Sequence, residues 1–161
     1  MKLIKIVIVF VCFNTPNATA ETLFSPAYCE FIVEFPSDYY TQTNKSAGGN
    51  TTTAARASIN GTLSLAAECW EDSRSITLDE FSEGLQSLAN DRGFSVSTVS
   101  INKNGTVPVI TLTATAKSQG KIFHVKMISY FGSFSRMDLF IVDIEMAGKF
   151  ALKFRNSVRI K

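Results

Sequence analysis

Histidine is almost missing from this chain of 161 residues: His124 is the only one. It stands between Phe123 and Val125 in a strand-like run, where it reads as structural rather than as a metal ligand or general base. Cysteine is nearly as sparse, at three residues. Cys12 lies inside the opening apolar run and not at its small-residue end, which sets aside a lipoprotein cysteine. Cys29 and Cys69 have no close second cysteine and no histidine cluster, so redox and metal chemistry lack their usual groups. No serine or cysteine occupies a recognisable nucleophile setting, and no glycine-rich phosphate loop is present. After the opening run, no apolar stretch is long enough to span a bilayer. Net charge is scarce too. Setting aside Lys2 and Lys5 takes the sixteen basic residues to fourteen, equal to the fourteen acids, which leaves a nucleic-acid role without support.

What is present begins with an address. Lys2 and Lys5, the apolar run from Ile6 to Phe13, and Ala18-Thr19-Ala20 predict a signal peptide over residues 1–20, cleaved after Ala20. The remainder, 21–161, suits a single α+β domain in the periplasm or outside the cell. An even pair of cysteines in an exported protein predicts a disulfide between Cys29 and Cys69.

The stretch from Ser95 to Glu145 organises the domain. It predicts a meander of four antiparallel strands, 95–101, 106–116, 121–131 and 137–145. The polar turns Asn102-Lys103-Asn104-Gly105 and Lys117-Ser118-Gln119-Gly120 and the looser segment 131–136 join them. Ile110, Leu112 and Ala114 share one face of the second strand, Phe123, Val125 and Met127 one face of the third, and Phe140 and Val142 one face of the fourth. Both faces are apolar in the middle, so the sheet needs cover on both sides. Pro108 marks an edge or the start of regular pairing.

Upstream, strict alternation over Tyr28–Pro36 buries Cys29, Phe31, Val33 and Phe35 together. The polar run Ser37–Thr53 reads as a mobile surface loop. Residues 54–70 are strand-like, with Asn60-Gly61 in the middle. A three-residue turn there and one uninterrupted strand both preserve the apolar parity. Were strand 28–36 to pair with this segment, the disulfide would bring Phe31 near Ala67 and Val33 near Leu65. Thr77-Leu78-Asp79-Glu80 is a capping box. It opens a helix whose apolar stripe is Leu78, Phe81, Leu85 and Leu88, closed by Gly93. A last helix over 147–157 carries Phe150, Ala151, Phe154 and Val158 on one stripe. Its basic tail, Lys149, Lys153, Arg155, Arg159 and Lys161, reads as cations at a helix C-terminus or as an anionic-surface contact.

The segments Cys29-Glu30-Phe31-Ile32-Val33-Glu34-Phe35-Pro36 and Leu65-Ala66-Ala67-Glu68-Cys69, then a helix, a meander and a closing helix with Phe154 and Ser157, resemble small exported bacterial proteins of unassigned function. More distantly they resemble the PsbP-like α/β/α sandwich superfamily. The resemblance implies an N-terminal strand pair plus a four-strand meander with two helices. It carries no catalytic residues and implies a binding or assembly role. A cystatin-like helix-plus-meander is the structural alternative, and the final helix argues against it.

The expectation is therefore a non-enzymatic envelope protein without cofactor or metal, whose partner is another envelope protein, with membrane-surface contact through the basic tail. Partner-binding candidates are Tyr39 and Tyr40 in the polar run and Tyr130, Phe131 and Phe134 at the hairpin tip. The alternatives are a small-ligand or lipid carrier, with Phe81, Leu85 and Phe140 lining a pocket, and an enzyme using Asp143 and Glu145. Glu68, Glu71 and Asp72 beside Trp70 form a further, weak acidic cluster.

Overall fold

A computed structural model describes residues 23–46, 49–71, 77–144 and 148–161. The signal peptide, Asp72 and Glu145 lie outside them. The strands, in chain order, are β1 (Leu23–Phe24), β2 (Phe31–Glu34), β3 (Tyr40–Lys45), β4 (Thr51–Ile59), β5 (Leu63–Glu71), β6 (Ser95–Asn102), β7 (Val109–Ser118), β8 (Lys121–Phe131), β9 (Ser135–Asp143) and β10 (Arg159–Ile160). Helix α1 (Leu78–Asp91) separates β5 from β6, and α2 (Lys149–Asn156) separates β9 from β10. Seven strands form one sheet in the order β3-β4-β5-β9-β8-β7-β6, and three form a second in the order β1-β2-β10. Every pairing is antiparallel.

The meander is present as β6 to β9, with the expected faces. Ile110, Leu112, Ala114, Val125 and Met127 are buried under α1 together with Leu85 and Ala89. Phe81, Phe140 and Val142 pack against the same cluster. Pro108 precedes the first paired residue of β7, as a residue without an N–H should. On the opposite face Leu65, Ala67, Leu139, Ile141 and Ile128 meet Phe31 and Val33 of β2, Phe35 just after it, and Phe154 of α2. The two covers are offset. Helix α1 packs against β6 and β7, whereas the small sheet and α2 pack over β4, β5, β9 and β8.

Helix α1 starts as its sequence dictates. Glu80 N donates to the Thr77 hydroxyl at 3.2 Å, and Thr77 N donates back to the Glu80 carboxylate at 3.0 Å. It ends where Gly93, at φ +78°, reverses the chain, with Phe94 N donating to Ala89 O at 3.0 Å. The buried stripe runs through Leu85 and Ala89, and Leu88 is exposed. The expected stripe is therefore corrected at its last position: the fourth contact falls at i+4 from Leu85, on a small residue close to the sheet.

The other corrections have equally local causes. The polar run Ser37–Thr53 is no loop: β3 lies within it and pairs with Thr51–Arg56 of β4. All six of its residues are exposed, so it carries no alternation to read. Residues 54–70 form a hairpin, not one strand. Asn60 and Gly61 both take positive φ, +51° and +67°, and Ile59 faces Leu63 across a three-residue connection. Strand 28–36 does not pair with this hairpin; β2 pairs with β1 and β10 instead. The last helix is shorter than expected, Phe150 is exposed, and Arg159 belongs to β10.

Two small motifs lock the second sheet down. Phe35 and Phe154 pack with ring centroids 4.7 Å apart. Glu34 N donates to the Ser157 hydroxyl at 2.9 Å, and that hydroxyl in turn lies within reach of Phe154 O and Glu34 O. The Phe-Pro strand end and the Phe-x-x-Ser helix end are thus one contact seen from two places in the chain. Glu30 supplies the second lock. Its carboxylate accepts from the backbone N–H groups of Ser133, Phe134 and Ser135 at 2.9–3.0 Å, pinning the β8–β9 turn. A side chain at Gly132 would place its Cβ 2.1 Å from that carboxylate.

Candidate functional site

Because α1 covers only part of its face, the neighbouring β3–β4–β5 portion is left open on that side. The register fixes what it presents. Tyr40 stands beside Arg56, Ala54 beside Glu68, Glu68 beside Asp138, and Trp70 beside Arg136. All are on the α1 face, since side chains two residues apart along a strand share a side.

The centre of this group is ionic. Arg136 Nε donates to both carboxylate oxygens of Asp138, at 3.1 and 3.0 Å. The Arg136 guanidinium lies 5.1 Å from the Trp70 ring centroid and 4.7 Å from that of Phe81. It is held between an indole on β5 and a phenyl on α1, an arrangement favourable to a planar cation. Glu68, directly opposite Asp138, has Arg56 Nη2 3.6 Å from its carboxylate. Burial pushes the Asp138 carboxyl well above the usual range, against the pull of Arg136, Ser129 and Trp70. Burial raises Glu68 too, and the adjacent Asp138 adds to it, while Arg56 and Arg136 oppose. Such a carboxyl pair is the raw material of acid–base chemistry. Here, however, Arg136 occupies both oxygens of Asp138, so that carboxyl acts as a fixed support. The rim consists of Tyr40, Trp70 and Arg56, all solvent-exposed.

The residues singled out from sequence are distributed as follows. Cys29 and Cys69 form the disulfide, Cα–Cα 6.1 Å, joining the two sheets. Tyr39 turns inward: its ring packs on Phe35 at 4.7 Å and its hydroxyl donates to Leu23 O at 2.7 Å. Tyr40 turns outward onto the site's rim. The aromatic tip does not form one patch. Tyr130 packs on Phe31 beneath the small sheet, Phe131 meets Phe81 under α1, and Phe134 alone is largely exposed. In the basic tail Lys153 pairs with Glu34 at 3.1 Å, and Lys161 Nζ donates to Pro26 O at 2.7 Å. Lys149 and Arg159 are exposed, and Arg155 is half-buried. Asp143, the candidate acid of the enzyme alternative, is buried, and it accepts from Gly148 N at 3.3 Å at the start of α2. Among the described residues no cluster of three metal-ligating side chains occurs.

Arg56, Arg136 and the Glu68–Asp138 pairing went unrecognised in the sequence. A signal existed in each strand, since Glu68 and Trp70, and Arg136 and Asp138, are polar or amphipathic residues at period two in otherwise apolar runs. Joining the two halves requires the β5–β9 register, which spans α1 and three strands.

No family model matches this chain, and no curated protein sequence matches it. Solved structures do. The solution structure of cyanobacterial PsbP (CyanoP) from Synechocystis sp. PCC 6803 matches 95% of this chain and 99% of its own length, with a TM-score of 0.64 and 10% identity. A crystal structure from Bacteroides thetaiotaomicron VPI-5482 matches over 87% of this chain, with a TM-score of 0.54 and 13% identity. The chain spans about half of that protein, 48% of its length. At these identities the likeness shows the fold: an α+β sandwich of the PsbP type.

Proposed function

We propose that this chain is an exported binding protein that docks another protein of the cell envelope through the open β3–β4–β5 portion of the α1 face. The observation that carries the reading is the Arg136–Asp138 pair. It is buried, held in one geometry by Trp70 and Phe81, and ringed by exposed Tyr40, Trp70 and Arg56. Tryptophan, tyrosine and arginine around a water-poor centre are the composition of interface hot spots. The partner that suits this surface is a protein face with its own alternating charges, since Arg56 and Glu68 offer opposite signs side by side. The signal-peptide pattern over residues 1–20 and the disulfide support placement in the periplasm or outside the cell. The resemblance to exported PsbP-like proteins supports a binding rather than a catalytic role.

The test places a photo-crosslinking amino acid at Tyr40 in the full chain, expressed in its native host, and at Lys103 beyond β6 as the control position. The expected result is one dominant crosslinked envelope protein from position 40 and none from position 103. Trp70→Ala, checked for folding, should then weaken binding of that protein by about tenfold or more. Equal crosslinking from both positions, or unchanged affinity in Trp70→Ala, would reject the surface.

A further inference from the structure

The small sheet turns Phe31 and Val33 inward, so Ile32 and Glu34 point away from the large sheet. Paired residues share a side, which adds Leu23 beside Glu34 and Arg159 beside Ile32. Helix α2 extends this outer surface. Lys153 Nζ lies 3.1 Å from the Glu34 carboxylate, and the Ser157 hydroxyl accepts from Glu34 N at 2.9 Å. Phe150 stands one turn ahead of Lys153 and two ahead of Ser157, on the same line of the helix, so it continues the row beyond Lys153. Leu23 is 47% exposed at one end of that row and Phe150 44% at the other. Lys149 flanks Phe150 and is exposed too.

The charge here is of one sign. Residues 148–161 hold five cations, Lys149, Lys153, Arg155, Arg159 and Lys161, and no acidic side chain. The acids on the outward side of the adjoining strand are already engaged: Glu34 holds Lys153, and Glu30 holds the β8–β9 turn. Lys149 and Arg159 are exposed and join no ion pair among the described residues. A helix dipole accounts for neither. Lys149 opens α2, at the end where a cation is disfavoured, and no acid stands in that turn. Arg159 belongs to a strand.

We infer that this outer surface docks on an anionic lipid bilayer. Leu23, Ile32 and Phe150 enter at headgroup level, while Lys149, Lys153 and Arg159 meet the lipid phosphates. The long stems of the cations lie along the apolar side chains and keep the charged heads in the polar layer. Protein interfaces gather their apolar side chains at a centre and place charge on the rim. Here Leu23 and Phe150 stand at opposite ends with charge between them, which suits a bilayer and leaves an acidic protein face without a core to bury. The surface is independent of the docking face, which lies on the other side of the large sheet, so both can be occupied at once.

The probe is a vesicle of phosphatidylglycerol and phosphatidylcholine, set against phosphatidylcholine alone, in a flotation assay with the purified, disulfide-closed protein. Flotation with the anionic vesicles only, weakened by added salt, is expected. Lys149→Gln/Arg159→Gln should weaken it about tenfold or more, at roughly 1 kcal/mol per charge. Lys149→Arg/Arg159→Lys keeps both charges and should retain it. Lys103→Gln/Lys117→Gln removes the same charge beyond the sheet's far end and should retain it as well, which separates a local surface from net charge. Phe150→Trp supplies the orientation: emission from the introduced indole should move to shorter wavelength on the anionic vesicles, while the wild type, whose only indole is Trp70 on the docking face, should not change. No flotation, equal flotation with phosphatidylcholine, equal loss in the Lys103/Lys117 variant, or a shift from Trp70 in place of the introduced indole would overturn the inference. So would capture of an acidic envelope protein by this surface without vesicle binding.

Discussion

Glu30 shows how one side chain can set the geometry of a distant turn. Burial alone would raise its carboxyl, but the N–H groups of Phe134, Ser133 and Ser135 outweigh that effect and hold it below the usual glutamate range. A carboxyl that titrates lower in the folded state contributes stability that is full above the ordinary value. That contribution is lost as pH falls through the folded value. Glu30→Gln should therefore flatten the acid limb of a stability-versus-pH profile, measured by urea denaturation from acid to neutral pH. Gly132→Ala acts on the same contact from the other side. The new methyl group takes the place of the carboxylate, so the charge-assisted bonds must open, and the expected loss is about 2–4 kcal/mol. Glycine is needed here for closeness, not for an unusual φ.

At the scale of elements, Asp143 is the test of a changed reading. From the sequence it marks an acidic strand end available for catalysis; in the fold it reaches the first turn of α2, whose N-cap Gly148 has no side chain to do so. Asp143→Ala should fray α2, seen as faster amide exchange over Lys149–Leu152, and cost about 1 kcal/mol, as loss of a capping oxygen does. What was legible follows the same physics. The capping box, Gly93 and the alternating faces of β7 and β8 depend on neighbours in sequence, and they stand as read. Strand β3 carries only exposed polar residues, so nothing in its composition distinguishes it from a loop. Strands β1 and β10 are two residues each and exist only because β2 lies between them. The Glu68–Asp138 centre was illegible for the same reason: its halves are assembled by pairing, and no local pattern encodes that.

The whole molecule is two sheets joined by packing, by Glu30 and by one covalent bond. Cys29 and Cys69 are separated by 40 residues, a loop for which the chain-entropy model gives roughly 4 kcal/mol. Cys29→Ser/Cys69→Ser should lower unfolding free energy by about that amount, and a reductant should do the same to the wild type. Chemical denaturation of oxidised and reduced protein measures both. The strand order has a further consequence, in time rather than in space. Strand β5 sits at the middle of the large sheet, yet one of its two neighbours is β9, and β2 needs β10. Neither sheet can close until the later strands have left the ribosome, so synthesis runs ahead of folding. A helper that keeps the nascent chain open has the whole of that interval in which to act, and folding, once released, is paced by long-range strand pairing.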